Sequence, residues 1–106
     1  MNKKTVLITG CSSGLGIYIA DKFEKEGHTV IRHKGKKHFD LSSVEEIKKL
    51  VENCREHKID VLINNAAIGC PSKLFSKYSV QEINYMINVN LRAPILLSFL
   101  LKDNLT

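Results

Sequence analysis

The 106-residue chain has no tryptophan, only two prolines and no long apolar run. Its longest apolar stretch, residues 93–101, includes Pro94 and Ser98 and is much shorter than the roughly 20 residues of a membrane-spanning helix. The basic start, Met1–Lys4, precedes too short an apolar segment for a secretory signal peptide. Hydrophobic residues at 43% and charged residues at 25% are typical of a folded protein. We therefore expect one domain over residues 1–106 that does not enter a membrane.

Cysteine is also scarce. Cys11, Cys54 and Cys70 are an odd number and have no C-x-x-C spacing. A disulfide framework and a zinc site are therefore not expected, and no other metal site is predicted. This cysteine usage favours a reducing, cytoplasmic environment.

The charge is uneven, with 16 basic residues against 11 acidic ones and a net charge of +5. Much of the excess lies in the segment from Arg32 to His38. Phe39 is the only aromatic residue beside this segment, and no nucleic-acid-binding motif accompanies it. We therefore expect no nucleic-acid partner; a solvated surface turn and a cofactor contact both remain open for this segment.

Hydrophobic periodicity predicts strands that alternate with helices. The strands are predicted at 4–9, 29–32 and 60–64; helices are predicted at 15–26, at 44–57 and from 80 to the end, the last two opened by Ser-x-x-Glu capping boxes. The alternation predicts an α/β fold, a Rossmann-like parallel sheet with flanking helices. Residues 38–41 are interpreted as a further short strand, although the chain before them is too short for an ordinary crossover.

The segment Thr9–Gly16 has the spacing G-x-x-x-G-x-G and stands between a predicted strand and a predicted helix. Gly10 would permit a sharp turn, Gly14 would let a phosphate approach the backbone, and Gly16 would let the helix lie close to the strand. A diphosphate would then meet free N–H groups at the positive end of the helix dipole. The context favours nucleotide binding over a simple strand-to-helix connection.

Four motifs in order resemble the short-chain dehydrogenase/reductase family. Thr9–Gly16 is similar to its TGxxxGxG loop, and Asp40-Leu41 lies where members contact the adenine. Asp60–Ala67 resembles its NNAG strand, with Ala67 in place of the usual glycine, and Asn88–Pro94 resembles the helix of the catalytic asparagine. The resemblance implies an NAD(P)-binding oxidoreductase, and it identifies Asn90 as the catalytic asparagine. The cofactor-binding residues proposed on both grounds are Gly10, Ser12, Ser13, Gly14, Leu15, Gly16, Arg32, Asp40, Leu41, Asn64 and Ala66.

The end of the second predicted strand indicates the cofactor. An acidic residue there selects NAD, whereas a basic residue accommodates the 2′-phosphate of NADP. The strand ends in Arg32, whose guanidinium could donate two hydrogen bonds to a phosphate. NADP(H) is therefore favoured over NAD(H), although the glycine loop has Ser13 where many NADP-preferring relatives have a basic residue.

Two asparagines need separate interpretations. Asn64 could line the cofactor or could simply mark a turn after its strand. Asn90 precedes Pro94 by four residues, and proline has no N–H to donate to the carbonyl oxygen of Asn90. The sequence therefore predicts a kink and a free carbonyl at the residue that the family resemblance calls catalytic. A kink that only wraps the helix around the sheet is the alternative.

The family's catalytic serine and Tyr-x-x-x-Lys pair fall beyond the region matched. The one such spacing present, Tyr18 to Lys22, lies on the predicted helix after the glycine loop and is interpreted as a coincidental surface pair. We expect a fold truncated after the asparagine helix, which binds a dinucleotide but is inactive by itself. The alternative is a non-enzymatic nucleotide-binding or dimerisation module. An exposed sheet edge or helix face makes a homo-oligomer the expected state.

Overall fold

The computed structural model describes residues 2–69 and 74–105. They form three strands, β1 (Thr5–Ile8), β2 (Thr29–Arg32) and β3 (Val61–Ile63). The α-helices are α1 (Gly14–Lys25), α2 (Val44–Asn53), α3 (Val80–Ile87) and α4 (Ala93–Leu100). A 3₁₀ turn covers Phe75–Lys77, and a π-helical turn, Asn88–Arg92, connects α3 to α4. Cys70, predicted to be unpaired, lies outside the described residues.

The three strands form one parallel sheet in the order β2-β1-β3. This arrangement confirms the predicted α/β class and the Rossmann-like parallel sheet with flanking helices. The carboxyl ends of all three strands meet at one edge, where parallel sheets of this kind bind ligands. Across the described residues, no helix combines the length and apolarity required to cross a bilayer.

Side chains of β1 alternate between two hydrophobic layers. Leu7 packs in the cluster formed with α2 and α4, whereas Val6 and Ile8 pack on the side of α1, against Ala20. All four side chains are buried. A strand buried on both faces has no polar alternation, which explains the continuous apolar run seen in the sequence.

Two serines begin helices as predicted. The hydroxyl of Ser79 accepts from the N–H of Glu82 at 3.0 Å, and the Glu82 carboxylate accepts from the N–H of Ser79 at 3.0 Å, which completes a capping box. Ser43 accepts from the N–H of Glu46 at 3.2 Å. The helix that Ser43 opens ends at Asn53, four residues before the predicted end.

The strand predicted at residues 38–41 is wrong. The N–H groups of His38 and Phe39 both donate to the carbonyl oxygen of Gly35, which makes a turn. The Asp40 carboxylate accepts from the backbone N–H and the hydroxyl of Ser42, at 2.9 and 2.7 Å. This local bonding competes with a strand ladder, and the chain after β2 is too short to cross over and add a parallel neighbour.

Candidate functional site

The loop between β1 and α1 is held by the chain that follows β2. The N–H of Cys11 donates to the carbonyl oxygen of His33 at 2.7 Å. The N–H of Gly10 donates to the imidazole Nδ1 of the same histidine at 3.1 Å. The other ring nitrogen, Nε2, lies 2.7 Å from the carbonyl oxygen of Phe39 and must therefore carry the proton. His33 thus connects the glycine loop to the turn after β2.

Burial lowers the pKa of His33, the nearby His38 lowers it further, and the carbonyl oxygen of Phe39 acts in the opposite direction. Only 2% of His33 is exposed. Both observations fit a neutral imidazole with one donor and one acceptor. This role of His33 was not predicted from the sequence, where the residue stands within a basic segment. The position of His33 directly after β2 is the feature of the sequence that could have indicated this role.

The chain after β3 holds the same loop from the opposite side. The hydroxyl of Thr9 accepts from the N–H groups of Asn65 and Ala66, at 3.1 and 2.9 Å. The side-chain amide of Asn65 donates to the carbonyl oxygen of Gly10 at 3.1 Å. Asn64, the asparagine predicted to line the cofactor, is exposed, whereas Asn65 bonds the loop. Both asparagines follow the end of β3, and the sequence did not indicate which of the two side chains faced the loop.

Two glycines make the close approach of these segments possible. A Cβ atom on Gly16 would overlap the carbonyl oxygen of Gly10, so only glycine lets the first turn of α1 pack against the loop. A Cβ on Gly10 would lie 2.8 Å from the Cα of Ala66, and the φ of Gly10 is +74°. These contacts agree with the turn and helix-packing roles that the spacing predicted for Gly10 and Gly16.

Gly14 differs from these two because an added Cβ would meet no atom within 4 Å. It is the first residue of α1, and the residue before it, Ser13, is extended and makes no capping hydrogen bond through its side chain. An uncapped helix start leaves backbone N–H groups free to bind an anion, with the helix dipole in support. Open space and free donors therefore coincide at the start of α1.

A cleft of about 370 Å³ extends from the start of α1 to the turn after β2 and to α3. Eight of the predicted cofactor residues line it: Gly10, Ser12, Ser13, Gly14, Leu15, Asp40, Leu41 and Ala66. The remaining predicted residues, Gly16, Arg32, Asn64 and Asn90, do not line it. The cleft is also lined by residues that were not predicted: His33, Gly35, Lys36, Phe39, Asn65, Ala67, Ile68, Tyr85 and Val89.

Arg32 is bonded to α1. Its Nη2 lies 2.6 Å from the carboxylate of Asp21, and its Nε lies 3.2 Å from that of Glu24. The hydrogen bond to Asp21 and then that to Glu24 raise the pKa of the guanidinium. These bonds hold Nε and Nη2 of Arg32 on α1, away from the cleft.

Asn90 lies within the π-helical turn, and its side chain holds the chain that follows β3. Its Oδ1 accepts from the N–H of Ile68 at 2.7 Å, and its Nδ2 donates to the carbonyl oxygen of Ile68 at 2.9 Å. The N–H of Ala93 donates to Asn88, five residues back, instead of four. Pro94 comes directly after Ala93, so the helical hydrogen-bonding pattern changes around Asn90. Single π-helical turns within helices often occur at functional sites. Proline has no N–H, so Pro94 cannot donate a hydrogen bond to the carbonyl oxygen of Asn90, four residues earlier.

Tyr18 and Lys22, the one Tyr-x-x-x-Lys spacing, lie on the surface of α1. Tyr18 is 65% exposed, and Lys22 is 4.0 Å from Glu26. Neither residue lines the cleft. Across residues 2–69 and 74–105, no three His, Cys, Asp or Glu side chains gather as a metal site.

The profile of the family described as short chain dehydrogenase matches residues 32–105. The chain belongs to the short-chain dehydrogenase/reductase family. This chain is similar to ketoacyl reductase HetN from Nostoc sp., with 37% identity in an alignment of 120 positions that covers 92% of this chain and 42% of HetN.

Two solved structures share its fold. One is 4-hydroxyisoleucine dehydrogenase complexed with NADH and succinate, with 28% identity and a TM-score of 0.82, covering 92% of this chain and 50% of that one. The other is 3-ketoacyl-(acyl-carrier-protein) reductase from Brucella melitensis complexed with NADH, with 25% identity and a TM-score of 0.83, covering 95% and 50%. The short-chain dehydrogenase/reductase chain therefore spans half the length, or less, of these relatives.

The residues of the cleft fit the dinucleotide that members of this family bind. The free N–H groups at the start of α1 and the open space at Gly14 suit a diphosphate. Phe39, Leu41 and Val89 provide apolar surface farther along the same cleft. Bound in this cleft, a nicotinamide cofactor would supply or accept a hydride, and the residues of the cleft would hold and orient it.

Proposed function

We propose that this chain is the cofactor-binding portion of a short-chain oxidoreductase that transfers hydride between NAD(P)H and a carbonyl or alcohol. The observation that carries the proposal is the uncapped start of α1, next to Gly14, at the edge where the three strands end. The twelve residues of α1 align enough peptide dipoles to stabilise a diphosphate at that end. Family membership makes the diphosphate of a nicotinamide dinucleotide the expected anion.

The residue roles follow from their positions. Gly10, Ser12, Ser13, Gly14 and Leu15 would surround the diphosphate. Gly16 would act indirectly, because it allows the helix to approach the loop. In a separate part of the cleft, Asp40 and Leu41 would contact the adenine and Ala66 would line the cofactor.

The proposal that NADP(H) is preferred over NAD(H) rests on the absence of a carboxylate at the end of β2. The two solved relatives described above are complexes with NADH, and paired titrations of this chain with NADPH and NADH test the proposed preference. Asn90 is proposed as the catalytic asparagine, and its side-chain bonds to Ile68 would keep the π-helical turn beside the cleft wall.

Gly14 and Gly27 give a matched test of cofactor binding. Both have positive φ values, +55° and +95°, and an added Cβ would meet nothing within 4 Å at either. Gly14→Ala and Gly27→Ala should therefore lose similar stability, about 1 kcal/mol, from backbone strain. Of these two glycines, only Gly14 lines the cleft. We expect Gly14→Ala to weaken NADPH binding about tenfold or more in calorimetric titration, since its methyl group would displace the phosphate. Equal affinities in the two variants would contradict the proposed site.

These 106 residues by themselves are proposed to bind the cofactor without reducing carbonyl compounds. Their only Tyr-x-x-x-Lys spacing lies on α1, outside the cleft. An assay of NADPH oxidation with a panel of ketones tests this proposal. A rate that depends on both cofactor and ketone would overturn it.

A second candidate, a nucleotide-binding module that associates with another copy, is favoured by one surface. Ile87, Leu91, Ile95 and Phe99 follow each other at four-residue intervals and are 49–60% exposed. Side chains at this spacing share one face of a helix. Leu91→Glu should shift a self-associated protein to the monomer in sedimentation velocity, whereas Lys48→Glu, an exposed change on α2, should not. A monomer at high concentration before any substitution would exclude this candidate.

We also propose a reducing, cytoplasmic location. Cys11 and Cys54 are unpaired and buried, and burial raises the pKa of both thiols. A raised pKa leaves little reactive thiolate near neutral pH. Imaging of a tagged protein in cells would test the location directly.

A further inference from the structure

Arg92 connects two segments that contribute residues to the cleft. It is the last residue of the π-helical turn Asn88–Arg92, and Asn90 precedes it by two positions. The guanidinium Nη2 of Arg92 donates to the carbonyl oxygen of Ser42 at 2.6 Å, although the two residues are 50 positions apart in the chain. This hydrogen bond therefore joins the turn that carries Asn90 to the segment between β2 and α2.

The carbonyl group that Arg92 contacts belongs to a tightly bonded turn. The Oδ1 atom of Asp40 accepts from the N–H and the hydroxyl of Ser42, at 2.9 and 2.7 Å. The N–H of Ser43 donates to the carbonyl oxygen of Asp40 at 3.0 Å. Asp40 and its neighbour Leu41 both line the cleft. A ligand that contacts Asp40 and Leu41 therefore also restrains the carbonyl group of Ser42.

The other end of the connection is the turn around Asn90. Its side chain bonds the N–H and the carbonyl oxygen of Ile68, at 2.7 and 2.9 Å, and Ile68 lines the cleft. Pro94 has no N–H to donate to the carbonyl oxygen of Asn90. Because the regular helical bonding is interrupted here, the position of the turn depends more on side-chain bonds such as that of Arg92.

Hydrophobic packing brings the same two segments together. Leu41 and Ala93 are 5% and 1% exposed and belong to one buried cluster, which also contains Leu97. Ala93 directly follows Arg92 in the chain. Closely packed interiors transmit strain, so a displacement of Leu41 also acts on the start of α4.

The guanidinium of Arg92 is only partly satisfied. Its Nε atom is buried and has no hydrogen-bond partner within the described residues. Across residues 2–69 and 74–105, Arg92 also forms no ion pair. An unpaired buried donor destabilises the arrangement that contains it. The position of Arg92 therefore depends strongly on the order of Ser42, which accepts its hydrogen bond.

We propose that Arg92 is a positioning residue that couples binding of the adenosine end of a cofactor, at Asp40 and Leu41, to the order of the turn that carries Asn90. The inference rests on the proposed binding of a nicotinamide dinucleotide in this cleft. A ligand on Asp40 and Leu41 would fix the carbonyl group of Ser42, and the fixed carbonyl would hold the guanidinium. Occupation of the adenosine end alone would then order the turn around Asn90.

Amide exchange at Ile68, measured by NMR with and without saturating ADP, tests the coupling. ADP has the adenosine end of the dinucleotide and lacks the nicotinamide. In the unmodified protein it should slow exchange at Ile68 by at least about fivefold, because Asn90 holds that N–H. In Arg92→Met the protection should be less than about twofold at saturating ADP, which removes any difference in affinity.

Two further variants distinguish coupling from a general structural effect. Arg92→Lys keeps a cationic donor for the carbonyl oxygen of Ser42 and should restore at least about half of the protection at Ile68. Arg55→Met is the matched control, since Arg55 bonds Glu52 on an exposed surface and does not line the cleft. It should show the full protection of the unmodified protein.

The coupling should also act in the reverse direction, because linkage between two sites is reciprocal. Asn90 does not line the cleft, yet Asn90→Ala should weaken ADP binding by about two- to threefold in calorimetric titration. The same substitution made in Arg92→Met should cause no further loss, since the connection is already broken. Additive losses in the double variant would overturn the inference.

The outcomes separate this inference from the proposed function. Equal protection of the Ile68 amide in the unmodified protein and Arg92→Met, or no protection by ADP in a protein that binds NADPH, would overturn the inference and leave the dinucleotide site intact. An unmodified protein that binds neither ADP nor NADPH would overturn both. Protection that requires Arg92, returns in Arg92→Lys and survives Arg55→Met supports the inference.

Discussion

The imidazole of His33 accepts a hydrogen bond from the N–H of Gly10, 23 residues earlier, at 3.1 Å. This bond requires Nδ1 to be unprotonated, while Nε2 donates to the carbonyl oxygen of Phe39. A protonated ring would turn the acceptor into a donor that faces another donor. Protonation of His33 therefore removes one of the hydrogen bonds that hold the glycine loop.

His33 should make the stability of the protein depend on pH. Burial lowers its pKa in the folded state, so the unfolded chain binds the proton more readily. Its contribution is present above the unfolded pKa of about 6.5 and is lost as the pH falls through the folded pKa. Urea unfolding of the unmodified protein between pH 7.5 and 5, in steps of about half a unit, should show this loss.

The matched variants are His33→Gln and His57→Gln. At pH 7.5 His33→Gln should be less stable by about 1–3 kcal/mol, since buried hydrogen bonds are lost or distorted, and its stability should vary less with pH. His57 is exposed, and His57→Gln should follow the unmodified protein. Parallel pH curves for the unmodified protein and His33→Gln would contradict this role.

The sheet was predictable because β1 and β2 carry apolar runs between glycine and charged residues. Their predicted bounds, 4–9 and 29–32, agree closely with Thr5–Ile8 and Thr29–Arg32. The start of α3 was predictable for a similar reason, since Ser79 and Glu82 bond each other locally. Local chemistry of this kind is visible in the sequence without knowledge of the tertiary contacts.

The partners of individual side chains were much less predictable. Arg32 was assigned to a phosphate from its place at the end of β2, but the fold brings Asp21 and Glu24 within 2.6 and 3.2 Å of it. Whether it faces the cleft or α1 depends on strand twist and on helix placement. The same holds for Asn64 and Asn65, because the sequence does not show which of these two adjacent side chains bonds Gly10.

Gly16 should be the glycine of the loop that tolerates substitution least. In Gly16→Ala the new methyl group would overlap the carbonyl oxygen of Gly10 and lie 2.8 Å from the Nδ2 of Asn65. The helix would have to move, and overpacking of this kind costs about 1–3 kcal/mol. Gly69→Ala is the control, because its added Cβ meets nothing within 4 Å. Thermal unfolding should separate the two variants, and equal midpoints would disprove the close packing of α1 on the loop.

Asn90 should control the order of the chain after β3. Asn90→Ala removes both hydrogen bonds to Ile68, whereas Asn90→Asp keeps the acceptor for the Ile68 N–H and loses the donor. Amide exchange at Ile68 should become about tenfold faster in Asn90→Ala and rise less in Asn90→Asp. Asn84→Ala, an exposed change on α3, should leave that amide unaffected. Unchanged exchange in Asn90→Ala would mean that its side chain does not hold this segment.

Arg92 should affect cofactor binding more than stability. Its Nη2 donates to the carbonyl oxygen of Ser42 at 2.6 Å and so connects the π-helical turn to the segment that carries Asp40 and Leu41. Within the described residues, its buried Nε atom has no hydrogen-bond partner. Arg92→Met removes a favourable bond and an unsatisfied donor together, so the free energy of unfolding should change by less than about 1 kcal/mol.

Arg92→Met should nevertheless weaken NADPH binding by about three- to tenfold. Without the bond to Ser42, the segment that carries Asp40 and Leu41 would have to be ordered by the ligand. Arg55→Met provides the control. Arg55 bonds Glu52 on an exposed surface away from the cleft, and its loss should change neither stability nor affinity measurably. Calorimetry and urea unfolding on the same preparations give both quantities. A large loss of stability in Arg92→Met without a change in affinity would show that Arg92 serves the core instead of the cleft.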